Sequence, residues 1–366
     1  MTTGSLLAVS SPKIKVTLDP FVSSCELQST IHNDPTVARQ RAYVRERYGE
    51  VAFCFCADRR FDPNLCTEDL VPGWVKPFRS IGANFWAGEQ PMQSRIESHL
   101  HYAHRSERPC TTYFDFWHTD CAGHKGDPVR ARETIQRFGA EKDADYSPYR
   151  NSDGTRRLVS IECSIDVRTS AWTMFNGNDQ IHAEALLGMD SSGILRAVQD
   201  FFGDRRDMPA ASIGAAGYVL EEQIKYLRSH EGRGPLSEHQ LRPGVILAVG
   251  KGFPWVRRED NVYVLGDHHG AFIADLAVPL EAVGNRIGAI LTCQTFSETL
   301  HEPYRRMNAI RRSQRIADLT HGFLAAHFPD LYDRIPVVSA VFDWDEWMIK
   351  FEPELARTCG YRSWTE

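Results

Sequence analysis

Val51-Ala52-Phe53-Cys54-Phe55-Cys56-Ala57-Asp58-Arg59-Arg60 changes character abruptly after Cys56, where an unbroken apolar run gives way to charge. A short apolar run with polar borders predicts a buried strand, and Cys56 then stands at its carboxyl end. Just upstream, Asn33-Asp34-Pro35 opens a helix to about Tyr48, with Asp34 as cap and Pro35 at the first helical position. Downstream, Glu89 to His104 reads as a helix and Thr111 to Trp117 as an aromatic strand. Asp127-Pro128 starts another helix through about Phe138, and Leu158-Val159-Ser160-Ile161 is a further strand. Strands alternating with helices predict an α/β fold with a largely parallel sheet, in which ligands bind just past the carboxyl ends of the strands. Cys56 and His118 both occupy such positions.

The second half echoes the first. Tyr43-Val44 has a counterpart in Tyr218-Val219 of a helix over 215–228, and Val51–Phe55 in Val245–Val249. The strand at 111–117 matches Ile287–Leu291, and the helix from Asp127-Pro128 matches one from Glu302-Pro303. Arg157–Ser160 resembles Pro336–Ser339, each followed by a tryptophan, Trp172 or Trp347. Offsets of about 175–194 residues recur in order, which predicts a duplicated unit. The expected organisation is an irregular leader over 1–30, a metal-binding catalytic domain over 31–205, and a degenerate repeat over 206–366. In the repeat, Gly250, Gly252 and Pro254 fall where Cys56, Asp58 and Arg60 stand, while Cys293 falls near His118 and Phe296 near Cys121.

At 366 residues the chain is long for one core and suits two domains. A net charge of −6, with both signs mixed throughout, argues against a nucleic-acid partner recruited by a basic surface. No apolar run reaches the roughly 18–20 residues that span a bilayer, so no membrane partner is expected. Nine cysteines, odd in number and irregular in spacing, read as thiols in a reducing, cytoplasmic setting rather than as a disulfide framework. The run from Arg305 to Arg315 reads as a solvated helix face, Gly232-Arg233-Gly234-Pro235 as a plain loop, and His268-His269 lacks a third partner at metal-ligand spacing.

Chemistry concentrates at two strand ends, Cys56-Ala57-Asp58-Arg59-Arg60 and His118-Thr119-Asp120-Cys121. Two thiolates and an imidazole suit Zn²⁺, and three protein ligands leave a fourth position for water, the catalytic arrangement. Bound zinc brings the pKa of that water from about 15.7 toward about 7. Asp58 and Arg60, two apart on an extended segment, point to one face. There the guanidinium can keep the carboxylate ionised while it orients the water. His124 reads either as a proton shuttle, by virtue of its pKa near neutrality, or as a polar turn residue. Cys54, which lacks the Asp and Arg followers, reads as a core thiol.

Cys56-x-Asp58-x-Arg60 followed about sixty positions later by His118-x-x-Cys121 resembles the signature of the β-class carbonic anhydrases, over roughly residues 40–175. The resemblance implies a sheet flanked by helices, zinc on Cys56, His118 and Cys121, and Asp58–Arg60 as catalytic dyad. It also implies reversible hydration of carbon dioxide to bicarbonate by zinc-bound hydroxide. Within that superfamily the chain looks most like the carboxysomal shell enzymes, on the strength of Cys56-Ala57-Asp58-x-Arg60, Cys121-Ala122-Gly123-His124 and a second half without ligands. Those enzymes carry a helical domain ahead of the catalytic half, where about fifty residues precede Cys56 here, and a longer His-to-Cys interval. The resemblance extends to a pseudo-dimer within one chain, a homo-oligomer, and carboxysome components as partners. The same metal set would serve a carbonyl sulfide or carbon disulfide hydrolase, and zinc closed off by Asp58 would mark an inert scaffold.

Overall fold

The computed structural model describes residues 25–56, 63–80, 111–166, 168–229, 243–250, 261–265, 284–297 and 304–351, with a few isolated positions between them. The readings on Glu89–His104, Gly232–Pro235 and His268-His269 lie outside the described residues, as do Asp58, Arg60, Gly252 and Pro254. The chain forms two compact units, one of residues 35–236 and one of 237–366 together with 1–34.

The first unit is built on a six-stranded sheet of order β2-β1-β3-β4-β5-β6. Its strands are β1 (Glu50–Cys56), β2 (Val75–Ser80), β3 (Thr111–His118), β4 (Leu158–Ile165), β5 (Trp172–Asn176) and β6 (Asp179–His182). The first four are mutually parallel, and β5 and β6 return antiparallel at one edge. Every residue of β1 is buried, the condition of a parallel strand covered on both faces, which is why the sequence shows a continuous apolar run and not an alternation. Successive side chains point to opposite faces. Phe53, Phe55, Phe114 and Phe116 join Ile194, Val198 and Phe202 of α3 (Ser191–Phe202) and Val219, Leu220 and Ile224 of α4 (Ala210–Ser229). Ala52, Cys54 and Tyr113 instead meet Ile135 and Phe138 of α2 (Pro128–Tyr146) on the other face.

Helix α1 (Pro35–Tyr48) spans the range expected from Pro35. Asp127 caps α2, accepting from the N–H groups of Val129 at 3.0 Å and Arg130 at 3.3 Å. The helix continues through Gly139 to Tyr146, beyond the expected end at Phe138, because Lys142 on its last turns is tied to β3. Helix α4, read from sequence as the opening helix of the second half, belongs to the core of the first unit. Glycine eases that seat: a Cβ on Gly217 would lie 2.8 Å from Leu195 Cδ1, so a larger residue would have to push the Leu195 side chain of α3 aside.

The second unit carries a five-stranded sheet of order β11-β10-β9-β7-β8. Its strands are β7 (Val245–Gly250), β8 (Val262–Leu265), β9 (Ile287–Phe296), β10 (Val337–Asp343) and β11 (Met348–Lys350). All are parallel except β11, which pairs antiparallel with β10. Helix α5 (Tyr304–His327) packs on β9 and β10, and Arg311, Arg312 and Arg315 lie exposed on it, the solvated face expected of the basic run. Residues 25–33, assigned from sequence largely to an irregular leader, are helical. Cys25 is buried in the core of this unit, Ser29 Oγ donates to Glu346 O at 2.9 Å, and the His32 ring stacks on Trp347 at 3.8 Å. One of that helix's few buried positions is a serine, which hides the apolar period a sequence reading relies on. Among the described residues no helix is long and apolar enough to cross a membrane.

Candidate metal centre

Parallel pairing of β1 with β3 carries both carboxyl termini to one edge of the first sheet. Cys56 closes β1, His118 closes β3, and Cys121 follows a tight turn. That turn depends on Asp120, whose φ of 60° is left-handed, a conformation that aspartate tolerates better than most residues. Beyond it, the N–H groups of His124 and Gly126 donate to Cys121 O at 3.0 and 2.9 Å, locking the cysteine's backbone. The three side chains are buried, with relative exposures of 5%, 2% and 2%, and one potential ligand atom from each lies within 4.8 Å of the others. The two sulfurs are 3.7 Å apart. Among the described residues this is the one histidine, cysteine and carboxylate group so disposed to hold a metal ion.

The imidazole of His118 is held in one tautomer. Its Nδ1 lies 2.7 Å from the carbonyl oxygen of Thr119, an acceptor only, so Nδ1 carries the proton and Nε2 keeps its lone pair. A backbone carbonyl orienting a ligating histidine is a common support for a metal site. The thiol of Cys56 is pushed well above its usual range, chiefly by the facing Cys121 thiol and further by burial. A cation entering the site therefore displaces protons.

The sequence reading missed what lies beneath. Asp115 of β3 and Lys142 of α2 form a fully buried ion pair, Nζ to Oδ1 at 2.6 Å and to Oδ2 at 2.8 Å. The ammonium also sits 4.0 Å from the centre of the Phe138 ring and 4.3 Å from that of Tyr113. Burial raises the Asp115 carboxyl while Lys142 opposes the shift. Cys54 lies in this core, and burial lifts its thiol, as expected of a packing residue. The signal was present: Asp115 is the lone acidic residue in the aromatic run Thr111–Trp117, and a charge on a buried strand requires a partner.

Of the expected site residues, Cys56, His118 and Cys121 come together, whereas Asp58 and Arg60 lie outside the described residues. His124 is half-buried in the short 3-10 turn Ala122–His124. The chain matches no protein-family model and no curated protein.

Proposed function

We propose that the chain is a zinc carbonic anhydrase that interconverts carbon dioxide and bicarbonate. The observation that carries this is the 3.7 Å between the sulfurs of Cys56 and Cys121. Two thiolates on one tetrahedral zinc, each at about 2.3 Å, stand about 3.8 Å apart, whereas a disulfide requires about 2.05 Å. Sulfur and imidazole donors together favour zinc over hard cations. Three protein donors are the number catalytic zinc sites use, and structural sites use four.

Zinc, when bound, supplies the Lewis acidity that brings the pKa of water toward about 7. The chain's own residues do the rest. Thr119 O holds the Nδ1 proton of His118, so that Nε2 is the donor nitrogen. Burial of all three ligand side chains keeps bulk water from competing for the donors. Asp58 and Arg60, assigned by the resemblance, orient the reacting water, with the guanidinium keeping the carboxylate ionised.

The second unit is, in this proposal, a degenerate copy that completes a pseudo-dimer. Support comes from strand order: β8-β7-β9-β10-β11 repeats β2-β1-β3-β4-β5, with the same parallel pairs and the same antiparallel turn-back. The register refines the correspondence. Cys54 pairs with Asp115 and Gly250 with Cys293, so laying Gly250 on Cys56 brings Gln294, one residue beyond Cys293, onto His118. Neither Gly250 nor Gln294 offers a zinc donor.

The test is stopped-flow carbon dioxide hydration on metal-quantified protein, with Cys56→Ser, His118→Ala and Asp58→Ala. The ligand variants should lose both zinc and rate, and Asp58→Ala should keep zinc and lose rate. A fully zinc-loaded wild type that does not hydrate carbon dioxide would sink the proposal.

A further inference from the structure

The sulfurs of Cys56 and Cys121, 3.7 Å apart, touch across 65 positions of sequence. A disulfide needs about 2.05 Å, so roughly 1.7 Å is left for side-chain rotation to close. Strand β1 holds Cys56, and the N–H groups of His124 and Gly126 hold Cys121 O, so the two residues are kept in register. Cys54 and Cys163 of the same unit are placed differently. Both are fully buried within the sheet, whereas Cys56 and Cys121, at a strand end and after a turn, keep exposures of 5% and 2%. Burial lifts the Cys54 and Cys163 thiols well above their usual range, so they stay protonated. Coordination to zinc would instead keep Cys56 and Cys121 as thiolates, the form that reacts with an oxidant.

We propose that the metal centre is also a redox switch, in which a small peroxide joins Cys56 to Cys121 in a disulfide and the zinc leaves. The metal's departure rests on zinc being the bound ion, as proposed above, whereas the bond needs only the sulfur pair. One thiolate attacks a peroxide oxygen, the O–O bond breaks, and hydroxide leaves, giving a sulfenic acid. The other thiolate attacks that sulfur, the S–S bond forms, and the sulfenic oxygen departs as a second hydroxide. Two electrons pass from the sulfurs to the peroxide, and two protons from solvent turn the hydroxides into water. A cystine offers no thiolate, so His118 Nε2 alone remains of the three donors, too few to hold zinc. A dithiol reductant reverses the bond and restores the site.

The test is to treat the full-length, zinc-loaded chain with hydrogen peroxide, reading released zinc with a chromogenic chelator and the linkage by non-reducing peptide mapping. One Cys56–Cys121 bridge should form for each zinc released, while Cys54 and Cys163 stay open to alkylation after unfolding. Dithiothreitol followed by zinc should restore both the thiols and the bound metal. His118→Ala keeps both sulfurs, and its bridge reads their pairing apart from the metal. A wild-type chain that forms the bridge but never held zinc overturns the carbonic anhydrase reading and keeps the bond. Zinc lost while Cys56 and Cys121 stay unlinked, either one bridged to a different cysteine, no bridge in His118→Ala, or Cys163 oxidised as fast as the pair overturns the switch.

Discussion

The sulfurs of Cys56 and Cys121, 65 positions apart in sequence, face each other at 3.7 Å in the interior. Adjacency of β1 and β3 and the left-handed turn at Asp120 produce that approach, so it belongs to the fold. Metal analysis should therefore find about one zinc per chain. Cys56→Ser and His118→Ala should each lose most of it while keeping the wild-type far-ultraviolet circular dichroism. Two zinc ions per chain, or full retention by both variants, would show that the ligands lie elsewhere.

The Asp115–Lys142 pair predicts a pH-dependent defect. Lys142→Met leaves a carboxylate buried without its cation, a loss of about 3–5 kcal/mol. Burial already raises Asp115, and removing Lys142 removes what opposes the rise. A carboxyl whose folded pKa exceeds its unfolded value of about 3.9 favours the folded state at low pH and loses that contribution as pH rises through the folded pKa. Denaturant midpoints of Lys142→Met should thus lie closest to wild type near pH 4 and fall away toward pH 7. Adding Asp115→Leu should recover much of the loss. A defect of equal size at both pH values would show that packing, not charge, is what Lys142 supplies.

Gly250 ends β7 at a φ of 108°, and a Cβ there would collide with the carbonyl oxygen of Cys293. The position is closed sterically as well as lacking a thiol. Gly250→Ala should lower stability by about 2–4 kcal/mol, combining strained backbone with the clash. Gly250→Cys should be at least as unstable and should bind no second zinc. Thermal melts with metal analysis decide the matter, and a stable Gly250→Cys chain would show that the strand end can open.

The strand ends were legible because chemistry and pattern coincide there. Cys56 and His118 each terminate a run too apolar to lie anywhere but inside, so both ligand positions followed from periodicity and composition. Cys121 needed only the short turn between. The places that resisted reading share another cause, which is that their partners are remote in sequence. Residues 25–33 bury only a short stretch, partly through Ser29, against residues more than three hundred positions away. Lys142 looks like a surface residue of an amphipathic helix until Asp115 is known to lie beneath it. Helix α4 carries the apolar period correctly, but periodicity identifies a buried face without saying which core it enters.

That allocation of α4 yields a truncation test. Ending the first unit near residue 205 removes Val219, Leu220, Ile224 and Tyr226, all buried in its core. At about 1.5–3 kcal/mol for each large apolar side chain, these four outweigh much of the 5–15 kcal/mol by which domains are stable. The same cut removes the hydroxyl of Ser212, which accepts from Thr112 of β3 at 2.9 Å, and Gln223, which donates to Ser170 O at 3.1 Å. Removal also strips Glu222, whose carboxylate accepts the Asp69 N–H at 2.9 Å. A chain of residues 35–205 should therefore aggregate or remain unfolded, whereas residues 35–236 should unfold in one cooperative transition and bind zinc. Size-exclusion chromatography and thermal circular dichroism on the two chains distinguish the cases. If the shorter chain melts as cooperatively and at the same temperature as the longer one, α4 is an appendage and the boundary of the first unit lies near 205 after all.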